Sequence, residues 1–274
     1  MPRFHVDTNF LLGYTLFLDW WRDDAIRWFE SGNSLYIGDA VLFEYCNKDT
    51  ANDEDYPPPD GREMTWNAED GKFNAILSEF RDQRFDFEDW LLDMEDSDRK
   101  LELDDVVERF TREFEIGEWA EDIVHRFYER ELDKRGWELT PEHARKIEKE
   151  FIRFYFRDAR KKKDILRDNI RKGPARDHGD YPSVKDRLDT VLYNDMDVEV
   201  VCDAHHMNQK GVLDTVLTGD KGDAYRDEDG KIIRDEEGEV VCGEPGIYNS
   251  RQEIDAITGL RVVYLLDEEP DASI

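Results

Sequence analysis

The segment spanning residues 198–223 constrains the fold more than any other part of the chain. Val198–Val201 is a short run rich in β-branched residues, which predicts a strand, and Asp203 would begin the helix that follows it. A second apolar run, Thr215–Thr218, predicts another strand and is followed closely by Asp220. Strand, helix and strand in this order predict an open α/β sheet, whose ligand crevice lies outside the carboxyl ends of the strands.

The N-terminal part of the chain adds two further carboxylates at predicted strand ends. Phe4–Val6 predicts a strand that ends at Asp7, and Leu35–Ile37 predicts one followed by a helix that carries Glu44. We therefore expect these two acids to converge with Asp203 and Asp220 on one cleft. Carboxylates brought together repel one another unless a cation neutralises them, and hard Mg²⁺ or Mn²⁺ prefers oxygen ligands.

Four short motifs give this pattern a family resemblance. They are Val6-Asp7-Thr8-Asn9, Val41-Leu42-Phe43-Glu44, Asp203-Ala204 and Leu217-Thr218-Gly219-Asp220-Lys221. In these motifs, and across residues 3–48 and 184–266, the chain resembles the PIN domain family of metal-dependent nucleases. The resemblance implies that Asp7, Glu44, Asp203 and Asp220 are both catalytic and metal-binding, and Asp223 matches a further acid of some members. A simpler alternative stays open, in which Asp7 and Asp203 are ordinary helix caps.

The predicted fold is a three-layer α/β/α arrangement with a central, mainly parallel sheet that is PIN-like and carries a large helical insertion. Residues 1–48 and 184–274 would form the nuclease-like domain. Residues 49–70 form a predicted loop that contains three consecutive prolines, which favour an extended segment without regular hydrogen bonding. Residues 71–183 would form the insertion, because apolar residues recur there at helical spacing and Thr140-Pro141 is a typical helix start.

The charge is the unusual feature of the composition. The chain has 68 acidic against 38 basic residues, a net charge of −30, and the acids are dispersed through nearly every segment. Dispersed acids, with arginine exceeding lysine, resemble the halophilic proteins of haloarchaea, in which large net charge maintains solubility in concentrated salt. No apolar run reaches the ~18 residues of a membrane span. The three scattered cysteines favour free thiols, so we expect a cytoplasmic protein without membrane contact.

One segment runs against the acidic composition. Residues 153–176 contain ten basic residues against three aspartates, and aromatic residues adjoin them. Basic groups beside aromatic rings suit single-stranded nucleic acid. The residues expected to bind nucleic acid are Arg157, Lys161, Lys162, Lys163 and Arg167. The alternative is a solvated helix face whose charges pair with acids elsewhere in the fold.

The sequence thus supports two functions. The first is a metal-dependent endonuclease that hydrolyses phosphodiester bonds with Mg²⁺ or Mn²⁺, and the resemblance favours RNA over DNA as its substrate. The second is a PIN-like scaffold that binds nucleic acid or protein without cleaving it. The resemblance also suggests an antitoxin-like protein as a partner, because some members of the family are toxins. A homodimer is a separate candidate.

Overall fold

The largest β-sheet in the described part of the chain has five strands, all of them parallel. In the computed structural model, which describes residues 2–48, 64–95, 100–177, 179–224 and 242–267, the strands are β1 (Arg3–Val6), β2 (Ser34–Ile37), β3 (Arg171–Lys172), β4 (Thr215–Thr218), β5 (Gly222–Ala224), β6 (Cys242–Pro245) and β7 (Arg261–Tyr264). The sheet has the order β3-β2-β1-β4-β7, and every neighbouring pair is parallel. β5 and β6 form a separate antiparallel pair.

Helices account for most of the remaining described chain. They are α1 (Thr8–Thr15), α2 (Arg22–Glu30), α3 (Asp39–Leu42), α4 (Gly71–Asp82), α5 (Arg84–Glu95), α6 (Leu103–Glu113), α7 (Glu121–Arg135), α8 (Pro141–Asn169), α9 (Pro182–Leu188), α10 (Asp195–Gln209) and α11 (Arg251–Thr258). A π-helical turn, Phe43–Asn47, continues α3, and a 3₁₀ turn, Glu118–Ala120, precedes α7. The fold is therefore mixed α/β, and it is consistent with the predicted three-layer arrangement.

The chain divides into two compact units. The first contains residues Met1–Tyr14, Trp21–Phe73 and Asp164–Ile274, and the second contains Thr15–Trp20 and Asn74–Lys163. All five strands of the parallel sheet belong to the first unit. The short strand β3 lies within the range 71–183 that the sequence assigned to the insertion, yet it pairs with β2 at the sheet edge.

The strands of the first unit follow from their side chains. Parallel strands covered on both faces carry near-continuous apolar runs, and the four residues of β4 are all buried. In β1 the last three residues are buried, as they are in β2 and β7. The predictions of strands at Phe4–Val6, Leu35–Ile37 and Thr215–Thr218 are confirmed. The apolar run Leu260–Leu266 also predicts a strand, which β7 confirms.

The predicted strand at Val198–Val201 is wrong, because these residues lie inside α10. The helix begins at Asp195, and the side chain of Asn194 caps it by accepting a hydrogen bond from the Met196 amide at 2.9 Å. Asp203 therefore lies in the third turn of the helix instead of opening one. The β-branched valines are accommodated because the helix is buried along most of its length.

The second unit is built around aromatic side chains. Phe110 contacts Phe87 and stacks on Phe114, and its ring also meets Tyr128 and Phe151 edge-on. Apolar residues at helical spacing in this region are thus core residues. The helix start at Thr140-Pro141 is confirmed: α8 begins at Pro141, and the Thr140 hydroxyl accepts a hydrogen bond from the His143 amide at 3.2 Å.

Two glycine turns, Asp229-Gly230 and Glu237-Gly238, predict a hairpin around Ile232-Ile233, and Asp267–Ile274 is predicted to be a solvated tail. The hairpin (225–241), nearly all of the tail (268–274) and most of the proline loop (49–63) lie outside the described residues. Within the described part of the chain, no helix is both long enough and apolar enough to cross a membrane.

Candidate functional site

Asp7 and Asp220 lie at the carboxyl ends of the adjacent strands β1 and β4, and Thr218 links them. The Thr218 hydroxyl donates a hydrogen bond to Asp7 Oδ2 and accepts one from the Asp220 amide at 2.9 Å. Two backbone amides also donate to the Asp7 carboxylate, Phe10 N to Oδ1 at 2.9 Å and Gly219 N to Oδ2 at 3.1 Å. Both carboxylates are held in place by the ends of the strands that precede them.

Glu44 reaches the same region from the π-helical turn Phe43–Asn47. Such turns are rare and are frequent at functional sites. The Thr8 hydroxyl donates to Glu44 Oε2, and the ammonium group of Lys72 lies 2.5 Å from Glu44 Oε1. Lys72 is brought there by Gly71, which has a φ of +84° and packs so closely that a Cβ atom would lie 2.5 Å from the Tyr45 carbonyl oxygen.

Asp197, in the first turn of α10, is the fourth acid of this group. Burial raises the pKa of Asp197 well above its usual value, and the nearby charges of Asp220, Glu44 and Asp7 raise it further. Burial also raises the pKa of Asp7 to about 6, with a contribution from Asp220 and partial compensation by the hydrogen bonds to its carboxylate. We refer to Asp7, Glu44, Asp197 and Asp220 as the acidic centre.

The negative charges of the acidic centre also raise the pKa of Lys72. Burial alone would lower the pKa of Lys72, but the charges of Glu44, Asp197 and Asp7 raise it overall. The lysine therefore stays protonated and supplies one positive charge to the acidic centre. Crowded carboxylates repel one another unless a cation neutralises them, and in this structure the Lys72 ammonium group neutralises part of their charge.

A small cleft opens beside two members of the acidic centre. It has a volume of about 70 Å³ and is lined by Asp197 and Asp220 together with Tyr193, Asn194 and Gly246. Gly246 is required there, because a Cβ atom would lie 2.0 Å from Asp220 Oδ2. The Asp220 carboxylate also accepts hydrogen bonds from the amides of Gly222 and Ile247, each at 2.9 Å.

The donors of the acidic centre are the kind that a hard cation prefers. Mg²⁺ keeps several of its waters and is usually bound through one or two carboxylates, so it does not require every acid as a direct ligand. No group of three acidic, histidine or cysteine side chains among the described residues is close enough to enclose one ion. The carboxylates therefore match Mg²⁺ or Mn²⁺ in chemistry, with a contribution from water.

Asp203 occupies a different environment from the acidic centre. Its Oδ1 pairs with Arg176 Nε at 2.9 Å, and its Oδ2 accepts a hydrogen bond from the Ala40 amide at 2.9 Å. The same guanidinium binds Glu199, whose other oxygen lies 2.5 Å from Lys185 Nζ. Both oxygens of Asp203 are thus used in a buried ion-pair network that joins α10 to the start of α3.

Asp197 is the site residue that the sequence interpretation missed. A signal for it was present: Asn194 is a good helix cap, and Asp195 and Asp197 follow as first-turn acids. Apolar or aromatic residues then recur at Val198, Val201, Cys202 and His205, the spacing of one buried helix face. If the helix is predicted to start after Asn194, then Asp197 and not Asp203 is the candidate acid at the helix start.

Asp223, the further acid suggested by the resemblance, lies in β5, which pairs with β6. Its backbone is opposite Glu244 in that pair, and its side chain lies outside the described part of the structure.

The basic segment does not form one continuous face. Arg157 and Lys161 are exposed, Lys162 pairs with Asp158 at 3.4 Å, and Lys163 is half-buried. Arg167 is exposed and lies between two aspartates. Three later basic residues make contacts within the first unit: Arg171 with the Tyr36 hydroxyl, Lys172 with Asp39, and Arg176 with Glu199 and Asp203.

Comparison of the chain with protein-family models, with curated proteins and with solved structures finds no match to any of them. We therefore infer the function from the site itself.

Proposed function

We propose that this chain is a metal-dependent endonuclease with a PIN-like nuclease domain, and that RNA is its substrate. The observation that carries the proposal is the acidic centre. Three of its acids, Asp7, Asp197 and Asp220, lie at strand ends or at a helix start, and Glu44 comes from an unusual helical turn. A crowded group of buried and half-buried carboxylates at the carboxyl edge of a parallel sheet is where a ligand is expected to bind.

In this proposal Asp197 takes the role that the sequence motif assigned to Asp203. Bound Mg²⁺ or Mn²⁺ would polarise a phosphoryl oxygen and activate water for in-line displacement at phosphorus. Asp7 and Asp220 would hold the cation, with Glu44 and Asp197 binding it directly or through water. Thr8 and Thr218 would orient two of the carboxylates, since their hydroxyls donate to Glu44 and Asp7.

The pairing of Lys72 with Glu44 gives the centre a second feature relevant to nuclease chemistry. A substrate phosphate carries the charge that an ammonium group attracts. A bound divalent cation would neutralise the carboxylates, and the Lys72 ammonium group would then exchange Glu44 for the phosphate. Lys72 has half of its side chain exposed, which leaves the amine free to change partners.

The second candidate is a binding module that does not cleave. It is favoured by one observation, the ion pair between Lys72 and Glu44, because an internal ammonium group reduces the need of the acidic centre for a metal. The nuclease requires a divalent cation for cleavage, whereas the binding module has no reaction that requires one.

Digestion of labelled single-stranded RNA by the purified chain in molar KCl distinguishes them. The nuclease proposal predicts cleavage that requires Mg²⁺ or Mn²⁺, stops with a chelator and is lost in Asp220→Asn. The exposed Glu142→Gln, on α8, serves as the control and should cleave as the wild type does. RNA that stays intact with either metal, at protein concentrations that bind it, would support the binding module instead.

A further inference from the structure

The second unit carries an open groove between α7 and α8 that the nuclease proposal does not use. Its volume is about 590 Å³, and both helices contribute to its lining. Arg130 and Lys134 come from α7, and Arg153 and Arg157 come from α8. The rings of Phe127 and Phe154 complete the groove.

The charge of this groove is opposite to that of the chain. Four cations line it against two carboxylates, Glu131 and Glu150, in a protein of net charge −30. Glu131 is almost fully buried and is shared by three cations: Arg130 at 3.5 Å, Lys134 at 3.5 Å and Arg135 at 3.2 Å. One carboxylate cannot neutralise three positive charges, and the part of the lining that α7 supplies, Arg130, Glu131 and Lys134, keeps an excess of one positive charge.

The α8 side of the groove presents guanidinium groups that are available to a ligand. Arg153 and Arg157 are both exposed, and neither forms an ion pair with another described residue. The two residues are four apart on one helix, so they lie on the same face, one turn from each other.

Aromatic surface lies between these cations. The Phe127 and Phe154 ring centroids are 5.9 Å apart. Arg130 lies over Phe127 at 4.7 Å and Arg157 lies over Phe154 at 5.9 Å. Phe154 is half-exposed, so part of its ring faces the groove. Arginine planes and aromatic rings are surfaces on which unpaired bases stack, and a base pair enclosed in a duplex cannot use them.

We propose that this groove binds a single-stranded segment of RNA, with Arg153 and Arg157 contacting its phosphates and Phe154 contacting a base. The inference deepens the proposed function, on which the choice of RNA rests. The cations and the aromatic surface of the groove together suit a polyanion that carries flat, unpaired rings. An acidic protein segment would use the cations and leave the aromatic surface without a role.

The test measures binding without cleavage. The full chain is kept in a chelator, and a fluorescent 15-nucleotide single-stranded RNA is titrated over a KCl series. Arg153→Gln/Arg157→Gln is compared with Lys146→Gln/Arg160→Gln, which removes the same charge from exposed positions of the same helix outside the groove. Circular dichroism of both variants checks that the helices are intact.

We expect the groove variant to bind the RNA at least about tenfold more weakly at the lower salt concentrations. Its salt dependence should flatten by about 1.4 in log–log slope, because two phosphate contacts contribute roughly 0.7 each for single strands. The control variant should change affinity less than threefold. A duplex of the same length should bind more weakly than the single strand to the wild type.

An equal loss of RNA affinity in the two variants would overturn the inference. The RNA would then be attracted to the positive charge of α8 in general and not to the groove. Unchanged affinity in the groove variant would also overturn it, as would binding of a glutamate-rich peptide in preference to the RNA. The result is independent of catalysis. A chain that binds through the groove but does not cleave would refute the proposed nuclease activity and leave this site standing.

Discussion

Arg176 is the single residue whose loss we expect to cost the fold most. Its guanidinium is buried and pairs with two buried carboxylates, Glu199 and Asp203. Removing one partner of a buried ion pair leaves charge uncompensated, which typically costs about 3–5 kcal/mol. We therefore predict that Arg176→Met lowers the free energy of unfolding by about that amount, measured by urea denaturation at constant KCl.

Arg81→Met is the matched control for Arg176→Met, because Arg81 is an exposed arginine that pairs with the exposed Asp82. Exposed pairs contribute about 0–1 kcal/mol, so this variant should unfold close to the wild type. Equal stability of the two variants would show that the buried network around Arg176 does not stabilise α10.

We expect Lys72 to lower the affinity of the acidic centre for a divalent metal ion. The ammonium group and a divalent cation compete for Glu44, so the neutral Lys72→Met should bind Mn²⁺ about tenfold more tightly than the wild type. Isothermal titration calorimetry measures this directly, with the exposed Lys100→Met as control. An affinity for Mn²⁺ that is unchanged or weaker in Lys72→Met would mean that the lysine does not compete with the metal.

Among the secondary-structure elements, α8 carries a buried acid that links stability to pH. Burial raises the pKa of Glu148 to about 8, and the neighbouring charge of Glu88 adds to the effect. Neither carboxyl oxygen of Glu148 has a hydrogen-bond partner in the described part of the structure. Glu148 is therefore protonated in the folded chain at neutral pH, whereas it ionises near pH 4.5 in the unfolded chain.

The sign of the effect of Glu148 on stability follows from this difference. Between about pH 4.5 and 8 the unfolded chain has released a proton that the folded chain keeps, so stability falls as the pH rises through this range. In Glu148→Gln that loss should disappear, and the free energy of unfolding should depend less on pH by a few kcal/mol. The exposed Glu142→Gln, on the same helix, should keep the wild-type slope. Identical slopes in all three proteins would contradict the burial argument.

The elements also show what sequence alone could and could not predict. Strands β1, β2 and β4 were predictable because each is a short apolar run followed by a polar or glycine residue. The strand β3 has only Arg171 and Lys172, both exposed, so no apolar pattern marks it. The start of α10 was obscured by valines that favour strands, although its cap at Asn194 was readable.

The site was predictable only in part, for a related reason. Asp7, Glu44 and Asp220 follow strands or lie in the helix after one, so local patterns identify them as candidates. The approach of Lys72 to Glu44 depends on Gly71 packing against the π-helical turn, a long-range contact without a local signal. Likewise, pairing of Asp203 with Arg176 joins residues that are 27 positions apart.

For the molecule as a whole, the net charge of −30 makes stability depend on salt. Dispersed acids repel one another more in the compact state than in the unfolded chain, and the screening length falls from about 10 Å at 0.1 M salt to about 3 Å at 1 M. We predict that Tm rises by ten degrees or more between 0.1 M and 2 M KCl, measured by differential scanning fluorimetry. A Tm that is constant or falls over this range would contradict a salt-adapted surface.

The most direct test of the central claim compares Asp197→Asn with Asp203→Asn in RNA cleavage with Mn²⁺ and in Tm without metal. We predict that Asp197→Asn loses at least about 100-fold in cleavage rate. Its Tm should equal or exceed that of the wild type, because burial and the neighbouring acids disfavour the ionised form of Asp197 and asparagine is neutral. Asp203→Asn should cleave within a few-fold of the wild type while folded, with a lower Tm because Arg176 loses a partner. Loss of cleavage in a folded Asp203→Asn, together with wild-type rates in Asp197→Asn, would contradict the assignment of Asp197 instead of Asp203 to the acidic centre.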